Sequence, residues 1–318
     1  MAFDEQFRIP SPTGASLNAY RKAPTSAPRG VVQINHGLAE HAARYERFAD
    51  FLAAQGFHVY AHDHRGHGET TAPDAPPRLF GGRALDPDRI ADGAGKVIAD
   101  VVAVQDRIAD DHPGLPLIVF GHSMGGLIAL NVLARHSDRV AAAAIWNANF
   151  SAGLLGRIAQ TILAWEMFRL GSDVPSRMLP RLTFRAWAKQ VPNARTDFDW
   201  LSRDPVEVDR YIADPLCGWD ASVSMWADVF KFVFGGADDR NLAPIRRDLP
   251  LNLLGGGNDP ATDGGKAVTD LAGRLRRMGF SDIEANVLEN TRHESLSEIN
   301  RDTVMADFVR WLDRVMPD

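Results

Sequence analysis

The sequence predicts an α/β fold: a mostly parallel sheet with helices on both faces. Short apolar, β-branched runs alternate with segments of helical period from residue 30 to 145 and again from 251 to the end. Glycine- and polar-rich turns separate them. With 318 residues, 45% apolar and 24% charged, the chain is long enough for a large core.

Taken in order, residues 3–9 and 17–22 alternate enough for two short strands joined at Ser11-Pro12-Thr13-Gly14. The run 30–34 reads as a buried strand ending at Asn35-His36-Gly37-Leu38. The pattern Tyr45, Phe48, Ala49, Phe51, Leu52 reads as a helix stopped by Gly56. A strand at 57–61 leads into Asp63-His64-Arg65-Gly66-His67-Gly68. A Pro/Gly-rich loop at 72–87 then precedes a helix over about 92–111. Further strands are expected at 117–120, 140–145, 251–254 and 283–288, with helices over about 265–278 and 298–315. In such sheets ligands bind beyond the carboxyl ends of the strands, where His36, Asp63 and Ser123 all fall.

Between Asn147 and about Asp220 the rhythm breaks. Tryptophans stand at 146, 165, 187, 200 and 219 among many Leu, Met and Phe. Leu155, Ile158, Ile162, Trp165 and Arg169 share one helical face, widened by Leu154, Leu163, Met167, Phe168 and Leu170. The expected organisation is a core of 1–147 and 221–318 with a helical cap at 148–220. Trp165, Met167 and Phe168 are its expected substrate-binding wall.

The net charge of −6 with no basic block argues against nucleic acid as the main partner. No basic-then-apolar leader opens the sequence and no apolar run is long enough to span a bilayer, so a soluble cytoplasmic protein is expected. An apolar cap is suited to transient contact with a membrane surface, or with a second subunit; the sequence does not choose between them. The single cysteine, Cys217, excludes an intrachain disulfide and a cysteine-based zinc site.

The chemistry centres on Pro116 to Arg135. A β-branched run leads into Gly121-His122-Ser123-Met124-Gly125-Gly126, and a helical pattern follows. This is the G-x-S-x-G pattern in its required strand–turn–helix setting, with Ser123 as nucleophile. A serine hydroxyl needs a base, and the base needs an orienting carboxylate. Of ten histidines only His136 and His293 follow Ser123; His136 ends the helix that leads away from the serine, so His293 is the base. Asp259, one glycine-rich turn beyond the strand at 251–254, is the acid. Asp238, Asp239, Asp248 and Asp263 lie away from a strand's end, and Trp146 to Asn149 offer no carboxylate. Backbone N–H groups of Met124 and Leu38 are the expected oxyanion donors. Glu40, His41, Arg65 and His67 lack a metal-ligand spacing and read as loop bracing, so neither metal nor cofactor is expected.

His36-Gly37-Leu38-Ala39-Glu40-His41, Arg44-Tyr45, the segment 63–68 and the elbow at 121–126 together resemble the α/β-hydrolase family of monoacylglycerol lipases and bacterial lysophospholipases. Asn258-Asp259 and His293-Glu294 match its acid and histidine positions; Glu69-Thr70 departs from the small polar residue more usual there. The resemblance spans nearly the whole chain and is weak in the cap. It implies a cap-covered serine hydrolase acting on esters of apolar acyl chains through an acyl-enzyme on Ser123. A thioesterase, amidase or acyltransferase with the same triad is the alternative, and a non-catalytic binding module of this fold is the reading from another class.

Overall fold

The structure, a computed structural model, describes residues 3–81, 92–151 and 153–316, with the backbone alone for 154 and 155. The loop expected at 72–87 is described only as far as 81, and the side chains of Leu154 and Leu155 lie outside the described residues.

Eight strands form one sheet: β1 (Glu5–Pro10), β2 (Ser16–Lys22), β3 (Gly30–Asn35), β4 (Phe57–His62), β5 (Leu117–His122), β6 (Ala142–Trp146), β7 (Leu251–Gly256) and β8 (Ile283–Leu288). Their spatial order is β1-β2-β4-β3-β5-β6-β7-β8. β2 pairs antiparallel with β1 and β4, and every other pairing is parallel. The helices are α1 (Glu46–Ala54), α2 (Gly93–Asp111), α3 (Met124–His136), α4 (Leu154–Leu170), α5 (Leu179–Leu182), α6 (Phe184–Ala188), α7 (Pro205–Ala213), α8 (Val223–Ala237), α9 (Asp239–Leu242), α10 (Lys266–Arg277) and α11 (Arg301–Val315).

β3, β5, β6 and β7 are buried at every residue, because a parallel strand covered on both faces has no wet side. The pleat still divides their side chains between two cores. Ile34, Phe120, Ala144 and Trp146 face α1 and α11, meeting Phe48, Phe308 and Trp311. Val31, Val119, Ala143, Ile145 and Leu253 face the opposite side, against α2, α3, α8 and α10. Phe120 and Trp146 meet edge-to-face at 5.0 Å, and Trp146 Nε1 donates to Asn252 Oδ1 at 2.7 Å. Burying one such aromatic side chain contributes about 1.5–3 kcal/mol.

Between β6 and β7 the described chain is helical, from α4 to α9. α8, which the sequence pattern does not announce, packs against both α3 and α4. Its Ser222 cap accepts from Met225 N at 3.1 Å. A third apolar cluster, with Val191, Trp200, Leu201, Tyr211 and Cys217, joins this stretch to Ala261 beside the end of β7. No helix among the described residues is long and apolar enough to cross a membrane.

Candidate active site

Ser123 lies between β5 and α3 at φ 54° and ψ −118°. A residue held in so sparse a region costs about 1–3 kcal/mol, which the surroundings must over-determine. Ser123 N donates to Trp146 O at 2.9 Å, tying the elbow to β6. The motif glycines permit the close approach: a Cβ on Gly121 would stand 2.3 Å from Gly125 O, and one on Gly125 2.0 Å from Asn35 O.

Three strand ends converge here. His293 Nε2 is 2.9 Å from Ser123 Oγ, and His293 Nδ1 is 2.9 Å from Asp259 Oδ2. Those distances allow the imidazole to take the serine proton while the carboxylate holds the ring. Asp259 caps the 3-10 turn Pro260–Thr262, with Oδ1 accepting from Ala261 N at 2.9 Å. Its Oδ2 also accepts from Thr262 Oγ1 at 2.9 Å and Asn147 Nδ2 at 3.1 Å. Burial pushes this carboxyl up, but the charge and hydrogen bond of His293, with Asn147 and Thr262, prevail and hold it below its ordinary value. The rival carboxylates are placed elsewhere: Asp238 caps α9, while Asp239, Asp248 and Asp263 are exposed.

Leu38 and Met124 both line the cavity in front of Ser123. Met124 opens α3, so its N–H is among those with no acceptor inside the helix. The loop carrying Leu38 is braced on several sides. Glu40 Oε1 accepts from Gly37 N at 2.5 Å and Tyr45 OH at 2.9 Å, and His36 Nε2 accepts from His64 N at 2.9 Å. Arg44 pairs with Glu40 and grips Glu294, next to His293, with bonds of 2.8 and 2.7 Å. Burial would push Glu40 up, but Arg44 and His122 hold it well below the carboxylate range. His122 Nε2 is 3.0 Å from His293 O; burial lowers this imidazole, yet Glu40 raises it above its ordinary value.

The cavity measures about 210 Å³. Its apolar wall includes Phe184, Trp187, Trp200, Tyr211, Trp226 and Phe230. Phe184 stacks on Trp200 at 5.8 Å and 13°, and Trp200 meets the His293 ring at 5.0 Å. Trp165, Met167 and Phe168 do not line it, which corrects the expected substrate wall. Trp165 is 51% and Phe168 89% exposed on α4, with the Arg169 guanidinium over the Trp165 ring, and Met167 packs against the core. The error is one of helical phase. α4 buries Ala159, Leu163 and Glu166, the last because its carboxylate takes Ser176 Oγ at 2.5 Å and Arg177 N at 2.8 Å. The wall comes from α6, from the segment at 198–201 and from α8, whose Trp226, Val229, Phe230 and Val233 lie beyond the expected cap boundary at 220.

Sequence reasoning also misses Asn147 and Thr262. Asn147 follows β6 at φ 51°, a conformation asparagine tolerates better than most residues, and its Oδ1 accepts from Ser295 Oγ at 3.0 Å. An asparagine just past a strand at the catalytic edge is the available signal. Of the residues read as loop bracing, Arg65 pairs with Asp100 at 2.7 Å and His41 with Asp214 at 2.8 Å, while the buried Nε2 of His67 has no hydrogen-bond partner among the described residues.

The family model described as "Serine aminopeptidase, S33" (Hydrolase_4) matches residues 26–300. A monoacylglycerol lipase of Mycolicibacterium smegmatis is 28% identical over 91% of this chain and 90% of its own length. The human monoglyceride lipase is 31% identical over 61% of this chain and 54% of its own. The crystal structure of a thermostable carboxyl esterase from Bacillus coagulans superposes with a TM-score of 0.86 at 21% identity, covering 99% of both chains, which shows the fold. The chain belongs to the serine aminopeptidase S33 family and is a serine hydrolase of the α/β-hydrolase fold.

Proposed function

We propose that the protein hydrolyses carboxylic esters of apolar acyl chains, of the monoacylglycerol or lysophospholipid class. The observation that carries this reading is the Ser123–His293–Asp259 chain, with both hydrogen bonds at 2.9 Å, opening onto an aromatic-walled cavity. The relatives named monoacylglycerol lipase and monoglyceride lipase support the substrate class. Ser123 Oγ attacks the acyl carbon as His293 Nε2 takes its proton, and the carbonyl oxygen becomes an oxyanion held by the N–H groups of Leu38 and Met124. His293 then gives that proton to the departing alcohol. Water, deprotonated by the same nitrogen, attacks the acyl-enzyme; the acyl–Oγ bond breaks, His293 returns the proton to Ser123 Oγ, and the fatty acid is released. Asp259 orients the ring and stabilises its charged form throughout.

Residues 148–220 act as a cap on this reading, with α8 completing the wall from the core side. The outward Ile158, Trp165 and Phe168 of α4 support a transient contact of the cap with a lipid surface. The test is a fluorophosphonate probe with mass spectrometry, followed by a panel of acylglycerols, lysophospholipids and acyl-CoAs of graded chain length. The adduct is expected on Ser123, and Ser123→Ala is expected to lose ester hydrolysis with its melting temperature nearly unchanged. Hydrolysis retained by Ser123→Ala sinks the mechanism, and a preference for acyl-CoA over the oxygen esters sinks the substrate class.

A further inference from the structure

One cysteine and no metal-ligand spacing lead the sequence reading away from a zinc site, but the fold nevertheless brings that single thiol to a carboxylate and to a histidine that is far from it in sequence. The ligating atoms of His41, Asp214 and Cys217 all lie within 4.8 Å of one another, and no other group of this kind occurs among the described residues. His41 follows the loop that carries Leu38, while Asp214 and Cys217 lie in the strap after α7. Hydrogen bonds to one carbonyl already join these two segments: Ala39 O accepts from Gly218 N at 3.0 Å and from the Tyr211 hydroxyl at 2.9 Å. His41 Nε2 stands 2.8 Å from Asp214 Oδ2, with Cys217 buried alongside.

We infer that His41, Asp214 and Cys217 form a binding site for a thiophilic divalent cation such as Zn²⁺, stapling the loop at 36–41 to the strap at 211–218. Imidazole nitrogen, carboxylate oxygen and thiolate sulfur are a donor set that zinc takes at about 2.0–2.3 Å, which puts neighbouring donors about 3.3–3.6 Å apart in a tetrahedron. The His41–Asp214 pair opens by about half an ångström to reach that spacing. The ion takes the place of the hydrogen between Nε2 and Oδ2; a neutral ring keeps its proton on Nδ1, and the Cys217 thiol releases its proton to solvent. Asp214 is partly exposed, which gives the ion a way in and water a way to the fourth position. A site that shared only hard oxygen donors would prefer Mg²⁺ or Ca²⁺; one sulfur and one imidazole favour the softer ions.

The site sits outside the Ser123–His293–Asp259 group, and its test does not need turnover. Purified full-length protein is titrated with Zn²⁺ by calorimetry and with Cd²⁺ by ultraviolet absorbance. One equivalent of Zn²⁺ is expected, with a thiolate-to-cadmium charge-transfer band at the same stoichiometry and a rise in melting temperature. Cys217→Ala abolishes the band and weakens Zn²⁺ binding by at least about tenfold. Asp214→Asn, whose Oδ1 keeps the bond from Leu216 N, weakens it without disturbing the strap. Zn²⁺ binding of unchanged affinity in both variants overturns the site, as does a Cd²⁺ titration with no charge-transfer band.

Discussion

Asn147 Nδ2 donates to the same Asp259 oxygen that receives the His293 ring, at 3.1 and 2.9 Å respectively. The carboxylate therefore meets the imidazole along a line that β6 as well as β7 determines. Asn147→Gly keeps the left-handed backbone while removing the amide, so it separates strain from hydrogen bonding. A lost bond to a buried charge is worth about 1.5–3 kcal/mol, which sets an expected fall in kcat of at least about tenfold. Losing that donor also raises the pKa of Asp259, and the acid limb of the kcat profile moves to higher pH. Steady-state kinetics from pH 4 to 9 checks both; an unshifted profile with full kcat refutes the positioning role.

The aromatic wall gives a prediction about chain length. Phe230→Ala opens the cavity on the α8 side, and the ratio of long- to short-chain ester hydrolysis should rise on the order of tenfold, the value of one or two methylenes in an apolar pocket. Trp165→Ser and Phe168→Ser should leave that ratio unchanged on soluble esters, because both side chains face solvent. On substrate presented in vesicles the same two variants should adsorb more weakly and turn over more slowly, read by vesicle co-sedimentation. A shifted chain-length ratio in either α4 variant would return those residues to the pocket.

The two motif glycines are not equivalent to Gly126. A Cβ at 125 meets the carbonyl oxygens of Asn35 and His36 at 2.0 and 2.7 Å, and backbone at the end of β3 cannot step aside. At 126 the first contact is Ala148 Cβ at 2.9 Å, a side chain on a loop. Gly125→Ala is expected to cost about 3 kcal/mol or more, at or beyond the top of the usual overpacking range, and to displace the loop carrying Leu38. Gly126→Ala should melt closer to the parent. Denaturant melts of the two variants side by side check the order.

Legibility in the sequence follows the range of the forces involved. The elbow, the strand ends and the order Ser123, Asp259, His293 were readable because each depends on local chemistry: β-branched runs, a glycine that a Cβ would block, a polar residue just past a strand. Which face α4 buries was not. A hydrophobic stripe was the natural guide, but Glu166 is drawn inward by the backbone N–H groups of Arg177 and Met178, and Trp165 and Phe168 turn outward as a consequence. α8 went unread for a related reason. Its apolar residues run almost all round, since it packs on α3, on α4 and on the cavity, so no single stripe marks it. Asn147 was passed over because a search for an acid does not register an amide.

Acid stability follows from four histidines behind the catalytic loops. His36, His62, His64 and His67 are fully buried, with ring centroids of neighbouring pairs 4.5–5.1 Å apart. Burial lowers His36 and His67 to about 3 and His62 to about 4, and carries His64 well below its ordinary value. All four are neutral in the fold near neutral pH, and each gains a proton on unfolding once the pH drops below about 6.5. Their stabilisation is complete above that pH and is lost as the pH falls toward the folded values, at about 1.4 kcal/mol per pH unit for each group. His122, raised rather than lowered, acts in the opposite sense: its contribution is present below 6.5 and fades as the pH climbs through its folded pKa. Urea unfolding between pH 7 and 5 should therefore show a steep loss of stability. His62→Phe is the sharpest check, because neither nitrogen of that ring has a hydrogen-bond partner among the described residues and its removal costs no bond. The variant should lower the slope by about one proton, or about 1.4 kcal/mol per pH unit, while an unchanged slope would mean that His62 is already protonated in the fold.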